Sequence, residues 1–146
     1  MDINSIIEEL MNKKPHLIDI FPRKVPQKSD NRYFGVERYF QRNRADIDRR
    51  FTDVILKLLC YYDMTLETED GLAEDPAAEE LSALLEKCFR GGTGFVNILL
   101  NECEALIMLN SDDLYMTVYN AEGEAAELIS QLARSEGLFY YEASEN

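Results

Sequence analysis

Between residues 46 and 60, apolar and polar positions separate with a helical period. Ile47, Phe51, Val54, Ile55 and Leu58 fall on one side, and Asp46, Arg50, Asp53 and Lys57 on the other. A stripe of that width lets a helix bury one side and keep the other in water. The same rule predicts an N-terminal helix starting at Asn4 or Ser5, where Ser5 and Glu8 have capping-box spacing. It carries Ile6, Ile7, Leu10 and Met11 inward and stops at Pro15. A third helix is predicted from Asp75 as N-cap with Pro76 in its first turn, and shows Leu81, Leu84, Leu85, Cys88 and Phe89 on its apolar side. Asn120 is expected to cap a fourth, with Glu122 and Glu124 in the first turn, Ala125, Leu128, Ile129 and Leu132 inward, and Gly137 just past its end.

Period-two runs predict the strands. "LIDIF" (17–21), "MTLETE" (64–69) and "LFYYE" (138–142) alternate, and "FVNILL", "ALIMLN" and "LYMTVYN" form an antiparallel meander joined by "NECE" and "SDD". Residues 95–103 also admit a helix capped by Thr93, since Phe95, Ile98, Leu99 and Glu102 share helical spacing; run length and turn chemistry favour the strand. Segments 23–30 and 70–76 read as loops. The expected fold is α+β: a single domain over 1–146, with a largely antiparallel sheet, including the C-terminal meander, covered on one face by about four helices.

The stretch "RGGTGFVNILLNEC" (90–103) places three glycines in four positions. Phosphate loops set their glycines after a strand and before a helix, so that free N–H groups meet the anion. Here the glycines follow a predicted helix, and no lysine comes after them in the phosphate-loop pattern. They are expected to turn the chain, with Gly91 or Gly92 taking the left-handed position past the helix end.

Composition changes the picture through charge. Residues 1–60 hold 12 Lys and Arg against 9 Asp and Glu, whereas residues 61–146 hold 3 against 19, for a net −13. Such a field repels nucleic acid and anionic membranes and favours basic partners. Apolar content of 46% supports a folded core, and no run is long enough to span a bilayer. Cys60, Cys88 and Cys103 are odd in number and widely spaced, which fits a reducing cytoplasm better than a disulfide framework or a zinc site.

Catalytic chemistry is sparse. His16, the single histidine, follows Pro15 at a helix stop, and Cys103 lies between Glu102 and Glu104, which disfavour its thiolate. Aligning Gly71 with the invariant glycine of a calcium-binding EF-hand loop puts Leu66 and Ala77 where carboxylates are required, so that motif fails. No cofactor or metal is expected. The segment "RYFGVERYFQRNR" (32–44) interleaves arginines with aromatics, as single-stranded nucleic-acid platforms do, yet Tyr33 stands where the RNP1 pattern of RNA-recognition domains has glycine. Its Tyr33, Phe34, Val36, Tyr39 and Phe40 are expected in the core or at an interface, with the arginines reaching outward.

The resulting expectation is a cytoplasmic, non-catalytic interaction protein whose acidic second half recognises a basic protein partner, at its most specific an immunity-like protein for a basic toxin. Residues singled out for partner binding are Arg32, Arg38, Tyr39, Arg42 and Arg44, the turn acids Asp112 and Asp113, and Tyr140 and Tyr141 at a sheet edge. Head-to-tail charge pairing between copies is a further expectation. The alternatives are a small carboxylate enzyme assisted by His16 or Cys103, and nucleic-acid binding by 32–44, which the net charge opposes.

Overall fold

A computed structural model describes residues 2–29 and 31–143. Among them, seven strands form one sheet: β1 (His16–Asp19), β2 (Met64–Thr68), β3 (Gly71–Glu74), β4 (Phe95–Leu100), β5 (Ala105–Asn110), β6 (Tyr115–Tyr119) and β7 (Phe139–Glu142). The order is β3-β2-β4-β5-β6-β1-β7, and each neighbouring pair is antiparallel. This is the expected α+β fold, meander included, with residues 95–100 as strand.

Alternation along the strands sorts side chains to two faces. Ile18, Met64, Leu66, Val96, Ile98, Ile107, Leu109, Met116 and Val118 point to the first face and meet α3 (Ala45–Leu59), α4 (Ala78–Phe89) and α5 (Gly123–Ser135) in the main core. The second face is not bare. Leu99, Leu106, Met108 and Tyr119 pack there against Ile3, Ile6, Ile7 and Leu10 of α1 (Ile3–Leu10), so the sheet carries a helix on its opposite side as well. The remaining helix, α2 (Asn31–Arg42), has no buried residue.

Helix starts differ from the sequence expectations, each for a local reason. The cap of α1 is Asp2, whose carboxylate accepts from the Ser5 N–H at 2.8 Å and is thereby held below the usual aspartate range. Residues 71–74 are not loop but the edge strand of a hairpin with β2. The Asp75 N–H continues that ladder to the Met64 carbonyl at 3.1 Å, so Asp75 stays at φ 47 and Ala77 caps α4 instead, its N–H donating to Glu80 at 3.1 Å. Asn120 is likewise at φ 64, with its side-chain amide donating to the Glu104 carbonyl, and Glu122 caps α5.

The glycine-rich stretch ends α4 and starts β4. Gly91 has φ 80, the Gly92 N–H reaches the Lys87 carbonyl at 2.8 Å, and the Gly91 N–H reaches that of Cys88 at 3.0 Å, which satisfies the last carbonyls of the helix. The anion met by this loop is internal: the Gly94 N–H donates to the Glu69 carboxylate at 2.6 Å.

Gly137 closes α5 by the same motif, at φ 75, with the Leu138 N–H donating to the Ala133 carbonyl at 2.8 Å. A Cβ at 137 would collide with the guanidinium of Arg50, which donates to the Glu136 carbonyl at 3.2 Å, whereas a Cβ at Gly91 meets nothing within 4 Å. Gly137→Ala is therefore expected to cost about 1–2 kcal/mol from left-handed strain plus the loss of the Arg50 contact. Urea denaturation should rank it as more damaging than Gly91→Ala.

Candidate functional site

The antiparallel register of β1 sets Asp19 opposite Tyr115 of β6 and Leu17 opposite Tyr141 of β7, all on the second face and beyond the reach of α1. After β1 the chain passes Pro22 and Pro26, whose fixed φ keeps it from continuing as sheet, and folds back over this face. Phe21, Val25 and Pro26 of that strap, with Tyr33 and Phe34 from the start of α2, line a solvent-open cavity of about 320 Å³ above Asp19. Its walls are mainly aromatic and aliphatic, and among the described residues the one cation lining it is the exposed Lys24.

Asp19 is 8% exposed. Its Oδ1 accepts from the Ile20 N–H at 2.7 Å and its Oδ2 accepts from the Tyr141 hydroxyl. No Lys or Arg forms a salt bridge with it among the described residues. Burial raises its carboxyl above the ordinary aspartate range, opposed by those hydrogen bonds. The phenols around it move away from ionisation: Tyr33 is pushed up to about 12 by burial and by Glu37, to which its hydroxyl donates at 3.3 Å. Tyr115 is raised by burial and by Asp113, and Tyr141 by burial and its bond to Asp19. Near neutral pH the phenols are hydrogen-bonding groups, and Asp19 is the cavity's one carboxyl.

Burying a carboxylate without a cation beside it opposes folding. A second groove, between α3 and α4, holds about 450 Å³, but its charges are paired with neighbours: Arg49 with Asp46 and Asp53, and Arg90 with Glu86.

The residues singled out from sequence divide into separate places. Tyr141 lines the cavity, whereas its neighbour Tyr140 points to the first face, stacks on His16 at 5.2 Å between centroids and has a buried hydroxyl without a partner. Arg44, Asp112 and Asp113 come together, but as a structural clasp. The Arg44 guanidinium donates to the Ser111 and Asp113 carbonyls, each at 3.2 Å, pairs with Asp48 at 3.1 Å and lies over the Phe89 ring, and the Asp112 carbonyl accepts from Gln41. Arg32 donates to the Ser29 carbonyl at 3.1 Å. Arg38, Tyr39 and Arg42 are exposed on α2. The aromatics of this helix are not core residues: Phe34 is 58% and Tyr39 61% exposed, and only Phe40 packs against the main core.

His16 and Cys103 do not converge with carboxylates in either cavity; Cys103 lies in the β4–β5 turn and burial raises its thiol. Among the described residues no three His, Cys, Asp or Glu side chains are grouped to hold a metal ion, and no helix is long and apolar enough to cross a membrane. Asp19 and Tyr115 were not among the sequence candidates, and Tyr33 entered only as part of the arginine–aromatic segment 32–44. A signal for Asp19 lay in "LIDIF", where Leu17, Asp19 and Phe21 share one strand face and the acid interrupts an apolar row. Comparison of the chain with family models, curated proteins and solved structures finds no match to any of them.

Proposed function

We propose that this protein is a non-catalytic binding module for a basic protein partner, and that a cationic group of the partner enters the Asp19 cavity. The observation that carries this reading is the buried carboxylate without a paired cation at the floor of an aromatic cavity. Aromatic faces and a carboxylate attract the same class of ligand, a cation, and both act more strongly once water is displaced. The −13 net charge, concentrated in residues 61–146, adds long-range attraction and speeds encounter with a basic surface. A basic toxin held by an immunity-like protein is one partner of this chemistry.

Recognition fits the cavity better than proton transfer does. Asp19 is the one carboxyl in it, and the phenols are too weakly acidic to complete an acid–base pair with it. Titration of the isotopically labelled protein with an oligolysine peptide should shift the resonances of Asp19, Tyr33, Tyr115 and Tyr141, with affinity falling as salt is raised. Shifts confined to surface acids would overturn the reading. If a single-stranded oligonucleotide instead shifts Arg38, Tyr39 and Arg42 while the peptide shifts nothing, the function passes to the exposed arginine–aromatic face of α2.

A further inference from the structure

Resting on that reading, we infer that the cationic group which the cavity takes is an N-methylated ammonium, best a dimethylated lysine side chain of the partner. A bare ammonium carries three N–H donors and a tightly held water shell, and each donor needs an acceptor once that water is removed. The apolar walls supply none: Leu17, Phe21, Val25, Pro26 and Phe34 offer no side-chain acceptor. The acceptors in the lining are Gln27, Ser29, the phenol oxygens of Tyr33, Tyr115 and Tyr141, and Asp19, each of whose oxygens already accepts one hydrogen bond, from Ile20 or from Tyr141. Methyl groups remove donors that those walls cannot satisfy and present polarised C–H surface to the aromatic faces, while the positive charge stays in place. One remaining N–H answers Asp19 through a lone pair that Ile20 and Tyr141 leave open, which ranks the dimethyl form above the trimethyl form. A volume of about 320 Å³ is at the small end of ligand sites and suits the end of one side chain with part of its stem.

The direct test is a titration of the intact protein with Nα-acetyl-lysine methylamide carrying zero, two or three Nζ-methyl groups, read from the ring resonances of Tyr33, Tyr115 and Tyr141. Free tetramethylammonium serves as a fourth probe. Dimethyl-lysine is expected to bind about tenfold tighter than unmodified lysine. Phe34→Leu, at a 58% exposed position where folding is not at stake, should narrow that preference, and Asp19→Asn should abolish the ranking of dimethyl over trimethyl. Equal or tighter binding of unmodified lysine overturns the inference and leaves the cation-binding reading standing. Binding of tetramethylammonium with no lysine form bound overturns it in favour of a small free ligand. If no probe binds while oligolysine still shifts the cavity, methylation is irrelevant and the inference fails alone; silence of oligolysine too removes the underlying reading.

Discussion

Truncating Phe51 to alanine is expected to lower the unfolding free energy by about 3–5 kcal/mol. Phe51 is 1% exposed at the middle of α3 and meets the ring of Phe89 at 6.5 Å between centroids, so the cavity left behind lies between two helices and the sheet. Phe89 in turn lies under the Arg44 guanidinium, which holds the start of α3 to the β5–β6 turn. The loss therefore reaches beyond transfer of one side chain. Against the roughly 5–15 kcal/mol typical of a domain, it removes a large share of total stability. Chemical denaturation of the variant checks this, and a loss below about 1 kcal/mol would contradict the placement of Phe51 at the centre of the core.

Asp19→Asn should behave in the opposite way, preserving or raising stability at neutral pH while weakening the proposed cation binding. The carboxyl of Asp19 is raised above the ordinary value of 3.8, chiefly by burial. Between 3.8 and that raised value the folded protein keeps a proton that the unfolded chain has lost. The stability linked to this group is accordingly full below 3.8 and is lost as pH rises through the raised value, after which the folded protein carries a buried charge. Asparagine has the same shape. Its oxygen can accept from the Ile20 N–H and its amide can donate to the Tyr141 oxygen, with no charge to desolvate. The melting temperature of the variant relative to the parent should thus increase as pH rises from 3.8 through the raised value. A variant that loses ground as pH rises would show that the carboxylate is held for structure.

The fold was legible where pattern and packing ask for the same thing. The stripe Ile47–Leu58 and the runs 95–100, 105–110 and 115–119 became helix and meander because their apolar faces are the ones the core buries. Helix starts were misplaced at Asp75 and Asn120 because their backbones are held at positive φ by a hairpin ladder and a cross-turn bond that join residues distant in sequence. The site was mostly illegible. Tyr141 was singled out, but Asp19, Tyr33 and Tyr115 are 122, 108 and 26 residues from it, respectively, and meet only through the β6–β1–β7 order and the strap after β1. Arginines 32–44 drew attention through their density, although the structure uses Arg44 as a clasp and leaves Arg38 and Arg42 exposed.

Whether Asp19 receives the partner's cation can be read by calorimetric titration of an oligolysine peptide into the parent protein and into Asp19→Asn at one low salt concentration. Binding to the parent is expected, with affinity at least about tenfold weaker in the variant and the variant folded and no less stable. Equal affinity in the two proteins would contradict it and would assign peptide binding to the acidic surface outside the cavity.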